Sequence, residues 1–159
     1  MAFARRRAFA RPALFSSMAL AFLIGTAAPV AAADTETSRV ISVAENQIGD
    51  PWVWGKVGPD QFDCVGFVYY SFKQAGLSAR IGGYRGVRAY RDWFAAKGRL
   101  SRSSGRRGDL VIWGNNQHIG IYLGRGRAIS ALTSGVKKHG LYDLTIGFST
   151  FLHVRLDRG

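Results

Sequence analysis

Cys64 is the only cysteine in a chain of 159 residues. It lies in Phe62-Asp63-Cys64-Val65-Gly66, at the expected start of a helix in which Asp63 serves as N-cap and Gly66 leaves room around the thiol. A thiol in a first helical turn feels the positive end of the macrodipole, which favours the thiolate. Downstream, Gln117-His118-Ile119-Gly120-Ile121-Tyr122-Leu123 has the pattern of a strand, and its histidine is suited to act as base for that nucleophile. Taken singly, a lone cysteine is more often a small buried hydrophobe, and a strand histidine more often a structural or solvent-facing residue. Together they point to thiol hydrolysis. Three histidines without ligand spacing make no zinc site, so neither a metal nor another cofactor is expected. One cysteine also cannot form an intramolecular disulfide.

Strand alternation sends His118, Gly120 and Tyr122 to one face and Ile119, Ile121 and Leu123 to the other. The isoleucine side is the expected core. Gly120 either keeps the surface beside His118 open to a substrate or marks close packing. Before Cys64 the pattern predicts a helix from about Thr37 to Ile48, with Val40, Ile41, Val43, Ala44 and Ile48 on its apolar face, stopped by Gly49-Asp50-Pro51. Trp52 to Lys56 then forms an extended aromatic approach. Behind Cys64 the apolar run Phe67, Val68, Phe72, Leu77 continues to a stop at Gly76. Arg80 to Arg88 is irregular, and Ala89 to Ala96 is a short helix burying Tyr90, Trp93 and Phe94. From Gly108 the pattern becomes strands: Leu110–Trp113, His118–Leu123, Arg127–Leu132, Val136–Leu141 and Phe148–Leu156. Helices first and an antiparallel sheet afterwards predict an α+β domain. The basic loop Ser101 to Arg107 is its least structured internal segment.

Residues 1–33 have the layout of a signal peptide. Arg5, Arg6, Arg7 and Arg11 precede an apolar stretch from Ala13 to Ala28, and Ala31-Ala32-Ala33 offers small residues for cleavage before Asp34. The arginine cluster fits either general or twin-arginine export, and an uncleaved anchor is the alternative to cleavage. No cysteine follows the small residues, which argues against a lipoprotein, and no later segment is long enough to span a bilayer. Residues 34–159 suit one compact domain. The formal charge of +12 becomes +8 once the four leader arginines are removed. That charge would draw the chain to anionic polymers, whereas the scattered arginines form no nucleic-acid motif.

Four segments in order resemble the NlpC/P60 cell-wall cysteine peptidases: Asp50-Pro51-Trp52-Val53-Trp54-Gly55, Phe62-Asp63-Cys64-Val65-Gly66-Phe67-Val68, Gly108-Asp109-Leu110-Val111, and His118-Ile119-Gly120-Ile121-Tyr122-Leu123-Gly124. The resemblance runs from about Arg39 to Leu156. It implies a papain-like α+β fold and an exported, secreted or periplasmic enzyme of the cell wall that cleaves stem peptides of peptidoglycan or muropeptides, typically at the D-γ-glutamyl link to a diamino acid. In that scheme the Cys64 thiolate attacks, His118 serves as imidazolium acid and then as base, and the Cys64 backbone N–H meets the oxyanion.

The third catalytic position of the family, commonly His, Asn or Gln, is matched by Ser130. A three-residue loop at Gly124-Arg125-Gly126 places Ser130 opposite Gly120, on the face of His118. His139 is the rival, lying across from Ser130 if Ser134-Gly135 is a two-residue turn. His153 matches nothing catalytic. Substrate contacts are expected from Trp52, Trp54, Asp63, Val65 and Gly120. Trp52 and Val65 stand where the family commonly has Tyr and Ser, which makes recognition of a free L-Ala amine less secure. Asp63 either holds an amine or simply caps the helix. A catalytically weak wall-binding module, or a thiol acyltransferase or secreted toxin, are the alternatives in function.

Overall fold

The computed structural model describes residues 35–158; the expected signal peptide, residues 1–33, lies outside them. Three α-helices come first: α1 (Glu36–Glu45), α2 (Cys64–Gln74) and α3 (Val87–Ala95), with a 3-10 turn at Ser78–Ile81 between the last two. Six strands follow: β1 (Leu100–Ser101), β2 (Leu110–Trp113), β3 (His118–Gly124), β4 (Arg127–Leu132), β5 (Gly135–Gly140) and β6 (Phe148–Leu152). They form one antiparallel sheet in the order β1-β6-β2-β3-β4-β5. This is the expected α+β arrangement.

α1 starts at Thr35, whose side-chain oxygen accepts the Ser38 N–H at 3.0 Å, and it buries Thr37, Val40, Ile41 and Ala44. It ends at Glu45, sooner than the apolar pattern predicts, so Ile48 falls in a turn and is exposed. α2 buries Phe67, Val68 and Phe72 against the sheet, each worth roughly 1.5–3 kcal/mol of hydrophobic stabilisation. It stops at Gly76 (φ 75°), after which the Leu77 N–H donates back to the Phe72 carbonyl at 2.7 Å. β6 is also shorter than its apolar pattern, because Val154 and Leu156 stay buried without pairing as strand. Ser101 belongs to β1 rather than to a free loop, and Arg106 N–H donates to Asp109 at the loop's far end, at 2.8 Å.

The sheet is buried on both faces. Leu110, Ile112, Ile119, Ile121, Ile129 and Ala131 meet the helices, as the isoleucine pattern predicts. Val111, Trp113, Tyr122, Ala128, Leu141 and Phe151 form a second cluster on the opposite face, with Leu144 and Phe148 packed against it. The face that carries His118 is therefore largely covered.

Candidate active site

Residues near Cys64 in sequence fix the candidate nucleophile. Asp63 is the N-cap of α2: Oδ1 accepts the Gly66 N–H at 2.6 Å, and Oδ2 accepts the Gly55 N–H at 3.0 Å. One buried carboxylate thus joins the helix start to the turn carrying Trp54. Gly66 does not serve to clear space around the thiol. A Cβ there would run into the Lys56 carbonyl and lie 2.8 Å from Val57 Cα, so glycine is needed for the close approach of that backbone.

The candidate base is assembled across strands. His118 opens β3, and the backbone N–H groups of Ile119, the next residue along, and of Val65 and Cys64 favour the charged form of the sulfur. Ser130 lies opposite Gly120, because Ile121 pairs with Ile129. The hairpin that secures this register has two residues, Arg125 and Gly126, at φ 51° and 70°, with Leu123 taken up as a bulge instead of a third loop residue. The β4–β5 turn is Thr133-Ser134, since Leu132 pairs with Gly135. That register places His139 opposite Ala128, on the expected face but diagonal to Ser130.

The outcome is a chain of contacts instead of a choice between Ser130 and His139. His118 Nε2 is 2.8 Å from Ser130 Oγ, Ser130 Oγ is 2.9 Å from His139 Nε2, and His139 Nδ1 is 2.9 Å from the Gly140 carbonyl. Trp113, a residue the sequence did not single out, lies against both imidazoles, with ring centroids at 5.5 Å and 5.3 Å. Its indole N–H donates to the Leu141 carbonyl at 2.7 Å, which fixes the ring. Its pairing opposite His118 was the available signal.

Electrostatics here run against the expected resting thiolate. Burial pushes the Cys64 thiol up, with Asp63 adding to the effect, and outweighs the three N–H groups that pull the other way. Burial, then the nearby His139, pushes His118 down to about 4. Thiol and imidazole are both neutral at rest near pH 7.

Two adjoining cavities of about 550 and 530 Å³ meet at Cys64 and share Trp52, Trp54 and Gln117. Asp63 and Val65 line the first, together with Arg88 and Asn116. His118 lines the second, with Thr133, Ser134 and the segment Asp143 to Ile146. Trp54 is 81% exposed and stands as a free wall. Gly120 does not line the groove. It is buried, and a Cβ there would stand 2.7 Å from both the Ile129 carbonyl and Ser130 Cβ, so its role is the close packing that lets Ser130 reach His118. His153 lies elsewhere, its Nδ1 bonded to the buried Asp109 at 2.7 Å beside Arg158. Among the described residues no group of three or more His, Cys, Asp or Glu could hold a metal ion.

Residues 49–154 match the NlpC/P60 family. The chain belongs to that family. This NlpC/P60 domain is 35% identical over 107 residues to the probable endopeptidase p60 of Listeria monocytogenes, covering 65% of this chain and 20% of that protein. It is 34% identical over 119 residues to a probable endopeptidase of Corynebacterium glutamicum, covering 72% and 53%. The chain thus spans about a fifth of the Listeria protein's length and about half of the other's. Among solved structures, the NlpC/P60 domain of the peptidoglycan hydrolase SagA matches with a TM-score of 0.59 at 29% identity, covering 74% of this chain and 98% of that one. The peptidoglycan hydrolase RipB of Mycobacterium tuberculosis matches with a TM-score of 0.56 at 27% identity, covering 77% and 64%.

Proposed function

We propose that this NlpC/P60 domain is an exported cysteine endopeptidase that hydrolyses a peptide bond in peptidoglycan stems. The observation that carries this is the opening of Cys64 and His118 into one groove. Because both groups rest neutral, reaction begins with transfer of the thiol proton to His118 as sulfur attacks the amide carbon. The tetrahedral oxyanion faces the backbone N–H of Cys64 at the helix start. His118 then gives the proton to the leaving nitrogen, the C–N bond breaks, and a thioester remains. Water loses a proton to His118 and adds to the thioester carbon; cleavage of the C–S bond returns the thiol.

Trp52 and Trp54, with ring centroids 6.4 Å apart, offer one aromatic wall shared by both cavities. Asp63 already accepts a backbone N–H on each oxygen, and Val65 has no polar group to offer, so a free L-Ala amine would find few new hydrogen bonds. This leaves room for a stem or cross-bridge other than the D-γ-glutamyl-diamino acid link common in the family. We place the enzyme at the wall after removal of residues 1–33, held partly by charge. Lys97, Arg85 and Arg99 surround the Trp93 ring at 4.5, 5.6 and 5.9 Å, and Arg80 and Arg155 share a cavity with it. Such a cluster suits an anionic wall polymer.

Incubating purified peptidoglycan with the wild-type chain and with Cys64→Ala, followed by mass spectrometry of soluble fragments, tests the proposal. Wild type releases fragments carrying one new amine and one new carboxylate per cut, and the variant releases none. A wild-type chain that sediments with the wall but frees nothing would instead be a binding module.

A further inference from the structure

Serine is a weak group with which to orient a catalytic imidazole, since its hydroxyl can turn to donate or to accept. The second histidine removes that freedom. His139 Nδ1 lies 2.9 Å from the Gly140 carbonyl, which can only accept, so in the neutral ring Nδ1 bears the hydrogen and Nε2 is an acceptor. Ser130, 2.9 Å from that Nε2, must therefore donate to it. The hydroxyl then has only lone pairs to offer His118 Nε2 at 2.8 Å, so His118 donates from Nε2 and keeps its lone pair on Nδ1. We propose that His139 is a positioning residue that sets the direction of every hydrogen bond in the His118–Ser130–His139 chain, and thereby makes Nδ1 of His118 the nitrogen that takes the proton of Cys64. The proposal depends on the thiol chemistry above for its effect on turnover, but not for the polarity of the chain.

Charging His139 would reverse the order. With both its nitrogens donating, Ser130 must accept from it and turn its own hydrogen toward His118. Around His139 stand Asp143, which favours the charge, and Lys137 and Arg127, which oppose it; His118 lies beyond Ser130 and Trp113 against the ring. Burial tips this balance toward the neutral form.

The test uses the full chain with 15N-labelled histidine. Long-range 1H–15N spectra at neutral pH, without substrate, are expected to show His139 as the Nδ1–H form and His118 as the Nε2–H form. Replacing the ring by His139→Phe frees the Ser130 hydroxyl and should lower kcat/KM roughly tenfold with KM unchanged. His139→Gln, whose amide can accept from Ser130 and donate to Gly140, should restore most of that loss. In a Ser130→Ala background, His139→Phe should cost nothing more. The rate at which iodoacetamide alkylates Cys64 should follow the same order. If alkylation and tautomers behave as expected while wild type cleaves no peptidoglycan, the proposed substrate is wrong and the positioning role stands. Finding His118 as the Nδ1–H form, or finding His139→Phe equally damaging with and without Ser130, overturns it. Should His139→Phe not fold, the wild-type and His139→Gln spectra decide alone.

Discussion

The two sides of the candidate catalytic groove are built in different ways. Around Cys64, the cap Asp63, the nucleophile and the close-approach glycine Gly66 lie within four consecutive residues, and helix geometry alone brings them together. On the imidazole side, His118, Ser130 and His139 come from three strands and share one line of contact only because two turns hold the sheet in register. In the proposed mechanism such a site takes its nucleophile from local chain geometry and its proton path from tertiary pairing. Damage should therefore show as lost helix stability on one side and as lost proton transfer on the other.

The largest expected effects come from removing the reacting groups. Cys64→Ala and His118→Ala should each lower turnover on peptidoglycan by at least about a hundredfold, while near-ultraviolet circular dichroism stays that of the folded domain. Near-wild-type turnover in either variant would break the pairing of the two sides. Ser130→Ala should cost roughly tenfold in kcat and about 1–3 kcal/mol of stability, because it leaves the His118 and His139 ring nitrogens without their shared partner.

Stability should separate the sides as well. Gly66→Ala sets a Cβ against rigid backbone at Lys56 and Val57, and urea unfolding should show a loss of about 1–3 kcal/mol. Asp63→Ala removes a cap and a second N–H acceptor, for about 1–2 kcal/mol. The imidazole side should show itself in pH dependence. His118 is near 6.5 when unfolded and about 4 when folded, so between those values the unfolded chain binds the extra proton and stability falls as pH falls. The fall should reach at most about 3 kcal/mol by pH 4 and be smaller in His118→Ala; an unchanged urea midpoint from pH 7 to 4.5 would contradict the burial of this ring.

How much of this was legible in the sequence follows the same division. Asp63, Cys64 and the stop at Gly76 could be read because capping and helix termination are local rules. The face of His118 could also be read, since alternation has a period of two and needs no partner. The position of Ser130 opposite Gly120 was legible from the glycine-rich hairpin, though a bulge at Leu123 achieves it with a shorter loop than expected. The relation of Ser130 to His139 depends on whether the next turn is Thr133-Ser134 or Ser134-Gly135, which both fit a glycine-containing hairpin and differ only once β5 is packed. The place of Trp113 was not legible, because a strand tryptophan looks like any other core residue until the sheet sets it against two rings. Gly120 illustrates the limit of a single glycine as a signal: open surface and close packing call for the same residue, and only the neighbour across the ladder tells them apart.

β5 is the outermost strand on its side of the sheet, and it carries the far end of the imidazole chain. Its middle presents Lys137 and Lys138 side by side and exposed, and Lys138 reaches Glu45 of α1 at 2.8 Å. A second copy trying to add its own β5 along this border would bring lysine to lysine, and like charges so close repel. The border therefore resists being lengthened by another molecule. A strand so charged is a poor template for a further one, and the edge on which His139 sits is guarded by its own neighbours in sequence.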